Sequence, residues 1–378
     1  MHMFLGGENM TNPIYLDYCA NYPVKKEVLD ELCASELKFY GNANSSHKAG
    51  ILAHQYVEQR NEVIRKCLNL PQDMEIIHTS SATESNNMAI KGIVDAYSAF
   101  GNKILVSEIE HNSINGCLST LKDKGYQIDF IKTESNGLIS IDDLKAKLDS
   151  NVILVVATAL DSELGSLQKY NEIALEVKKY PHAHYLCDVT QAIAKYEISF
   201  ENLELVSFTP HKFGGLTGTG VLLKKKSIVI MPLINGGSSL TVYRSGSIPV
   251  GLISSTAKAC EIMTCGRADS VLKLKRLSEL FLKLASLNKN IQINSFENLF
   301  IFNIGIENHK ASDVVSYLSE HNIYVSQKSA CSIKNTPSKI VMSVYHDKKR
   351  ALESFRVSIS ENTTDDEIRE LFKVLEEI

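Results

Sequence analysis

The stretch Leu205-Val206-Ser207-Phe208-Thr209-Pro210-His211-Lys212 decides how this chain is organised. Its first four residues form a short apolar run of the kind found in strands that are buried on both faces. Pro210 ends that run, because proline has no N–H group to donate to a sheet. A histidine and a lysine then emerge where the strand ends. The glycine-rich segment 214–220 that follows lets main chain approach whatever Lys212 holds.

Six more apolar runs of similar length give the chain a regular pattern. They cover residues 76–78, 103–106, 127–131, 152–156, 184–187 and 220–223. Amphipathic segments of helical length lie between most of these runs. Near-continuous apolar strands that alternate with helices are typical of a mostly parallel sheet covered on both faces. The sequence therefore predicts an α/β fold in which ligands bind beyond the carboxyl ends of the strands.

The length of the chain indicates more than one domain. At 378 residues it exceeds what a single hydrophobic core usually supports. From about residue 249 the pattern changes to longer helical segments and shorter strands. We therefore predict a large domain over residues 18–262, which contains the parallel sheet, and a smaller α+β domain made of residues 10–17 and 263–378.

Composition excludes several classes of protein. The formal net charge of -4 gives no reason to expect nucleic acid as a partner. No apolar run approaches the roughly 20 residues that a transmembrane helix needs, and the first ten residues lack the pattern of a signal peptide. The eight cysteines show neither a CxxC pair nor metal-type spacing, which is typical of reduced thiols in a cytoplasmic protein. We therefore expect a cytoplasmic protein with no metal site and no membrane association.

Two polar segments follow strands at the edge where a ligand would bind. The segment Thr79-Ser80-Ser81-Ala82-Thr83 leads from a strand into a helix, and such a helix N-terminus can hold a phosphate group through its N–H groups. The same residues would also make an ordinary helix cap. His111 follows the next strand, where an imidazole could stack on a flat aromatic ligand. A structural histidine is the alternative.

An aspartate and a lysine follow two further strands of the predicted sheet. Asp188 comes directly after the run 184–187, and a carboxylate buried there needs a cationic partner. Lys212 becomes a nucleophile if its site lowers its pKa, although most lysines are simply solvated. Sites for pyridoxal phosphate combine a Schiff-base lysine with an aspartate that holds the pyridinium nitrogen. The four strand-end features together therefore predict pyridoxal 5'-phosphate as the cofactor.

With these residues the chain resembles the cysteine desulfurases of the class V aminotransferase family, which share the fold-type I architecture of pyridoxal phosphate enzymes. The resemblance extends from Tyr15 to the C-terminus. Beyond the segment 79–87, the matching motifs are Tyr15-Leu16-Asp17-Tyr18, Gly41-Asn42, Ser46-His47, Glu110-His111, Asp188-Val189-Thr190-Gln191, His211-Lys212, Arg244-Ser245-Gly246, residues 325–331 and Ser354-Phe355-Arg356-Val357-Ser358.

The resemblance implies a role for each matching residue of the cofactor site. Lys212 would hold the cofactor as a Schiff base and later act as the base in proton transfer. The other implied contacts are ring stacking by His111, pairing of the pyridinium by Asp188, a hydrogen bond from Gln191 to the phenolic oxygen, phosphate binding by Ala82, Thr83, Thr209 and His211, and further cofactor contacts by Ser162 and Ser247.

The resemblance also implies the substrate, L-cysteine, and its fate. Arg356 would bind the substrate carboxylate through its bidentate guanidinium, and Asn42 would be a second substrate-binding residue. Cys331 would attack the substrate's sulfur, leaving alanine and a persulfide. From the residues alone, Cys331 lies in a polar loop where Lys328 could lower its thiol pKa, but it could equally be incidental. The implied enzyme is a homodimer that passes sulfur to an acceptor protein, for iron–sulfur cluster, thio-cofactor or tRNA assembly.

Two departures from the family pattern concern the substrate, and a third concerns the phosphate of the cofactor. Ser162 stands where the family has an asparagine that contacts cofactor and substrate, and Tyr22 stands where the family has a small residue. Ser247 replaces a threonine but keeps its hydroxyl. A related enzyme that acts on another amino acid, such as a selenocysteine lyase, another lyase or an aminotransferase, is therefore an alternative. A non-catalytic homologue is a third hypothesis, which the intact Lys212 disfavours.

Overall fold

The computed structural model describes residues 13–237, 239–328 and 336–378. The strands, numbered in chain order, are β1 (Ile14–Tyr15), β2 (Met74–Thr79), β3 (Lys103–Ser107), β4 (Gln127–Ile131), β5 (Val152–Val156), β6 (His184–Asp188), β7 (Leu205–Phe208), β8 (Gly220–Lys225), β9 (Ile291–Ile293), β10 (Ile301–Ile306), β11 (Ile323–Tyr324) and β12 (Ser354–Ser358). The helices are α1 (Lys26–Lys38), α2 (Lys48–Leu68), α3 (Ala82–Tyr97), α4 (Asn112–Asp123), α5 (Ile141–Lys147), α6 (Tyr170–Val177), α7 (Val250–Leu287), α8 (Ala311–Glu320), α9 (Lys339–Tyr345), α10 (Lys348–Glu353) and α11 (Asp365–Leu375). Within these described ranges, every helix is too short or too polar to cross a membrane.

The described residues form two compact units. Among the described residues, the large unit contains 21–162 and 166–269 without 238, and the small unit contains 13–20, 163–165, 270–328 and 336–378. The predicted division into a large domain, residues 18–262, and a small domain, residues 10–17 and 263–378, stays a prediction.

A seven-stranded sheet organises the large unit. Its strand order is β2-β8-β7-β6-β5-β3-β4, and β8 runs antiparallel to both of its neighbours while the other pairs are parallel. Every residue of β5 and β6 is buried, as expected for strands with helices on both faces. The apolar faces of α3 and α4 pack on this sheet through one core cluster that includes Ile93, Leu118 and Val156. The predicted α/β fold with a mostly parallel sheet is confirmed.

The strand directions bring several strand ends to one edge of the sheet. Because β2 and β7 are both antiparallel to β8, β2 points the same way as β7 and its parallel neighbours. The carboxyl ends of β2, β3, β5, β6 and β7 therefore share one edge, and β8 starts there with Gly220 opposite Thr79. This is the edge at which open α/β sheets bind ligands.

The small unit contains a three-stranded antiparallel sheet in the order β12-β10-β9, together with the parallel pair β1 and β11. Its core includes the stacked rings of Phe281 and Phe302, whose centroids lie 4.0 Å apart. The last helix, α11, starts with a capping box between Thr364 and Glu367, in which each side chain accepts from the other residue's N–H group. The strand β12 carries Arg356 in this unit.

Candidate functional site

The first turn of α3 has the form of an anion site. Ser81 caps the helix, and its Oγ accepts the N–H of Glu84 at 3.1 Å. The carboxylate of Glu84 in turn accepts the N–H of Ser80 at 2.7 Å. The N–H groups of Ala82 and Thr83 have no carbonyl four residues earlier in the helix, so they point out of its end. Together with the helix dipole, they can bind a phosphate group.

The start of β8 brings a second polar pair to this turn. A Cβ on Gly220 would lie 2.3 Å from the carbonyl carbon of Ser81, so a larger residue does not fit there. The neighbouring Thr219 accepts a hydrogen bond through its carbonyl from Oγ1 of Thr209 at 2.7 Å. Oγ1 of Thr209 lies 2.8 Å from Nδ1 of His211. Thr209, which is predicted to hold phosphate, thus contacts the residue next to Gly220, and His211 in turn contacts Thr209.

These contacts determine the protonation of His211. The hydroxyl proton of Thr209 goes to a carbonyl, so Oγ1 must accept the hydrogen bond from Nδ1–H of His211. Burial, and then the charge of Lys212, lower the pKa of His211 to about 4. The imidazole is therefore neutral at pH 7, with its lone pair on Nε2. A bound dianion would favour the protonated ring, because an opposite charge stabilises the charged form.

Lys212 ends a single 3₁₀ turn that begins at Pro210, directly after β7. The turn is closed by Gly214, whose φ of 91° is a left-handed conformation that suits glycine. Two main-chain hydrogen bonds hold the turn from outside: the N–H of Tyr22 donates to the His211 carbonyl, and the N–H of Lys25 donates to the Gly214 carbonyl, both at 2.9 Å. The backbone that carries Lys212 is therefore held in one place.

Asp188 is the last residue of β6 and is only 7% exposed. Its Oδ1 accepts the N–H of Thr190 at 2.9 Å, and its Oδ2 accepts Nδ2 of Asn86 at 3.1 Å. Strands β6 and β7 are neighbours, with Asp188 opposite Ser207, so the aspartate and the lysine do follow adjacent strands. Each carboxylate oxygen has a further lone pair, so Asp188 can accept a hydrogen bond from a cationic N–H group.

His111 caps α4 and is linked to Asp188 by two residues. Its Nδ1 accepts the N–H of Ser113 at 3.1 Å and lies 2.9 Å from Oγ of Ser113. Oγ of Ser113 accepts Nδ2 of Asn86 at 3.0 Å, and Asn86 reaches Asp188. Sequence reasoning did not identify Asn86 or Ser113 as site residues. Asn86 lies inside the quoted segment 79–87, which was a usable signal, but nothing in the sequence pointed to Ser113.

Glu110 is a buried acid that sequence reasoning quoted in the motif Glu110-His111 but gave no role. It is 4% exposed, and its Oε1 accepts the N–H of Thr158 at 2.7 Å and the hydroxyl of Ser107. It therefore joins the ends of β3 and β5. Burial, with smaller contributions from Asp188 and Asp161, raises the pKa of Glu110 to about 8. Its carboxyl group is mostly protonated at pH 7.

The remaining predicted residues of the large unit lie in loops. Gln191 follows Asp188 and is half-buried, as is Ser162. Asn42 and Ser247 are exposed, and Oδ1 of Asn42 accepts the N–H of Asn44 at 2.9 Å. Within residues 21–162 and 166–269 as described, the hydrogen bonds above do not connect Asn42 or Ser247 to the strand-end residues.

Arg356 lies in the small unit and is 1% exposed. Its Nη2 pairs with Oδ1 of Asp17 at 2.8 Å, and Oδ2 of Asp17 accepts the hydroxyl of Ser326 at 2.6 Å. The aspartate of the quoted motif 15–18 therefore orients the guanidinium. Cys331 falls outside the described residues. Nζ of Lys328 donates to the carbonyl and to Oγ1 of Thr336, each at 2.7 Å.

The strand-end residues fit pyridoxal phosphate in their chemistry. They supply N–H donors for a phosphate, a carboxylate for a protonated ring nitrogen, an imidazole and a lysine. Oδ1 of Asn86 and Oγ1 of Thr190, on either side of Asp188, are buried without a hydrogen-bond partner among the described residues. Buried polar atoms are normally paired, so these two are typical of a site that receives a polar ligand.

The chain is similar in sequence and in fold to known proteins. The family model described as "Aminotransferase class-V" matches residues 14–371. The cysteine desulfurase IscS of Buchnera aphidicola subsp. Acyrthosiphon pisum (strain 5A) is 30% identical over 389 residues, covering 97% of this chain and 92% of its own. The cysteine desulfurase IscS of Dictyoglomus turgidum is 29% identical over 380 residues, covering 98% and 95%. The solved structure of a NifS-like protein from Rickettsia africae ESF-5 is similar with a TM-score of 0.86 at 26% identity, covering 97% of this chain and 99% of that one.

Proposed function

Because the chain belongs to the aminotransferase class-V family, whose enzymes use pyridoxal phosphate, we propose that it is a pyridoxal-phosphate-dependent L-cysteine desulfurase. One observation carries the cofactor part of this proposal: the α3 turn, His111, Asp188 and Lys212 all follow strands that end at one edge of one sheet. The cysteine desulfurases among the relatives support the substrate part, since they match over nearly the whole chain.

Each strand-end residue has a proposed task toward the cofactor. Lys212 would hold the cofactor's aldehyde through Nζ and afterwards carry a proton on the same atom. Asp188, oriented by two hydrogen bonds, would keep the ring nitrogen protonated, and His111 would stack on the ring. When bound, pyridoxal phosphate withdraws electrons from the substrate's Cα and so weakens the bonds around that carbon.

The phosphate and the phenolic oxygen of the cofactor have their own proposed partners. The N–H groups of Ala82 and Thr83, with Thr209 and His211, would bind the phosphate. The remaining proposed contacts are Gln191 to the phenolic oxygen, Ser162 to the cofactor, and Ser247 to the phosphate of a partner subunit.

The substrate would be bound by Arg356 and Asn42, and Cys331 would take its sulfur. A guanidinium has five N–H groups, so the contact between Arg356 and Asp17 orients Arg356 without using its whole donor capacity for a substrate carboxylate. Asn42 is the second proposed substrate contact. The bond between Cβ and sulfur of L-cysteine would break, the sulfur would join Sγ of Cys331 as a persulfide, and the carbon skeleton would take up a proton and leave as alanine.

We also propose partners and a location for the enzyme. The enzyme forms a homodimer, acts in the cytoplasm, and passes the persulfide sulfur to an acceptor protein for iron–sulfur cluster, thio-cofactor or tRNA assembly. The seven cysteines of the described ranges are all free thiols, which agrees with a reducing compartment.

The test is the absorbance spectrum of the purified protein with pyridoxal phosphate, before and after L-cysteine is added. We expect a cofactor band that L-cysteine perturbs in the wild type and that Lys212→Ala lacks. Sulfide and alanine should then form in equal amounts with a reductant present. If wild type and Cys331→Ala release sulfide equally slowly, the persulfide step is wrong.

A second candidate is a lyase that acts on another amino acid, such as selenocysteine. It rests on Ser162 and on Tyr22, whose ring is buried at 3% exposure and whose N–H donates to His211 beside the lysine. A panel of amino acids in the same absorbance assay decides between the two. A spectrum that only L-cysteine perturbs eliminates this candidate.

A further inference from the structure

Asn86 lies at the centre of a buried hydrogen-bond network in the large unit. The residue is 0% exposed, and its amide Nδ2 donates one hydrogen to Oδ2 of Asp188 at 3.1 Å and the other to Oγ of Ser113 at 3.0 Å. The amide cannot be turned over, because its Oδ1 would then face a carboxylate oxygen. Since Oδ1 is buried without a hydrogen-bond partner among the described residues, the polar contacts of this side chain are the two that it donates.

Ser113 extends the network to His111 with a fixed direction. Its N–H donates to Nδ1 of His111 at 3.1 Å, so that nitrogen carries a lone pair. The hydroxyl of Ser113, 2.9 Å from the same nitrogen, must therefore donate as well. Nδ1 accepts two hydrogen bonds, and the proton of the neutral ring lies on Nε2. Protonating Nδ1 would break the main-chain contact with Ser113 and would reverse the direction of the hydroxyl contact.

We propose that Asn86 and Ser113 are positioning residues that connect Asp188 to His111. Through this connection they would hold the carboxylate in place at the ring nitrogen and the imidazole in place at the ring face. This inference rests on the proposed function, since it assigns Asp188 to the ring nitrogen and His111 to the ring face. Asn86 orients the carboxylate from the side opposite Thr190. Ser113 fixes the tautomer and the orientation of the imidazole. Neither residue needs to touch the cofactor.

The alternative is that the network only holds α3 against α4, since Asn86 lies on α3 and Ser113 lies on α4. A packing role predicts loss of stability alone. A positioning role predicts weaker cofactor binding and changed ring nitrogen shifts of His111 in protein that is still folded. The two roles are therefore separable by measurements other than activity.

The experiment compares Asn86→Ala, Ser113→Ala and the conservative Ser113→Thr with wild type. Ser119→Ala is the matched control, since it removes the same hydroxyl from an exposed position of α4. The readouts are the dissociation constant of pyridoxal phosphate, from absorbance titration, and the ring nitrogen shifts of ¹⁵N-labelled histidine in the loaded protein. Circular dichroism reports whether each variant is folded.

We expect Asn86→Ala to bind pyridoxal phosphate about tenfold to a hundredfold more weakly, because a hydrogen bond to a charged group is lost. Ser113→Ala should weaken binding about threefold to tenfold and should shift the Nδ1 resonance of His111, because the hydroxyl's hydrogen bond to Nδ1 is lost while the main-chain N–H of residue 113 keeps the lone pair there. Ser113→Thr should restore both, and Ser119→Ala should match wild type. If Asn86→Ala does not fold, Ser113→Ala carries the test.

Two failures are distinguishable. If wild type binds no pyridoxal phosphate, the proposed function is overturned, and this inference with it. If wild type binds the cofactor and the folded Asn86→Ala and Ser113→Ala variants bind it equally tightly, with the same ring nitrogen shifts of His111, only the positioning role is overturned.

Discussion

Replacing Glu110 by glutamine should make the stability of the protein less dependent on pH. Burial raises the pKa of this carboxyl group from 4.5 to about 8. Between these values the folded state keeps a proton that the unfolded state releases, so wild type becomes less stable as pH rises. Each pH unit contributes about 1.4 kcal/mol, so the loss across the window is about 5 kcal/mol, mostly between pH 5.5 and 8.

Glutamine keeps the shape of the side chain and removes its ionisation. Its Oε1 can still accept the N–H of Thr158 and the hydroxyl of Ser107. The variant should therefore resemble wild type near pH 5 and exceed it by about 3 kcal/mol or more near pH 8.

The assay is urea unfolding at pH 5.5, 6.5, 7.5 and 8.5. Circular dichroism is the probe, since the chain has no tryptophan. Glu201→Gln, which changes an exposed glutamate, is the control and should give a difference from wild type that does not grow with pH. If the difference between Glu110→Gln and wild type is the same at pH 5.5 and pH 8.5, the carboxyl group ionises alike in the folded and unfolded states, and the reasoning from burial is refuted.

Three further predictions concern the stability of the folded protein. Gly220→Ala should lower the free energy of unfolding by about 1–3 kcal/mol, because its Cβ would lie 2.3 Å from the carbonyl carbon of Ser81. Gly116→Ala is the control: its Cβ would have nothing within 4 Å, and the variant should raise the free energy of unfolding by up to about 1 kcal/mol, so equal effects of the two variants in thermal unfolding would contradict the prediction. Asp17→Ala should cost about 3–5 kcal/mol in urea unfolding, because it leaves the buried charge of Arg356 without its carboxylate, and a cost below 1 kcal/mol would show that the ion pair is not formed. Tyr22→Ala should cost about 3–5 kcal/mol through the cavity left by a buried ring, while Tyr22→Phe should stay within about 1.5 kcal/mol of wild type; similar losses in both would instead point to the phenol oxygen.

The sheet was predictable because its central strands β5, β6 and β7 are buried on both faces. The run 152–156 was predicted as a strand and forms β5 with the same bounds, since every one of its residues is buried. The antiparallel direction of β8 was not predicted, because an apolar run carries no direction of its own. The connection 209–219 holds only a 3₁₀ turn and no crossover helix, which is a signal for an antiparallel neighbour.

The candidate site was predictable only where residues follow strands. Asp188 and Lys212 were found because a polar residue at the end of an apolar run is visible in the sequence. Asn86 and Glu110 were quoted in motifs without a role, because their partners lie far along the chain: Asn86 and Asp188 are 102 residues apart, and Glu110 and Thr158 are 48 apart. The pairing of Arg356 with Asp17, across 339 residues, was invisible for the same reason. Contacts of this kind follow from the strand order, which composition and periodicity do not give.

The two main-chain bonds that hold the lysine turn have a consequence for how the site is assembled. The ribosome synthesises Tyr22 and Lys25 long before His211 and Gly214. The two N–H donors therefore have no carbonyl acceptors until the later segment has been made. Closing so long a loop is slow compared with forming a local turn. The lysine turn gains its support only when Tyr22 and Lys25, near the start of the large unit, meet the segment that follows β7. Cofactor capture is therefore expected to follow synthesis of the whole unit, and a nascent chain that ends before residue 214 should not bind it.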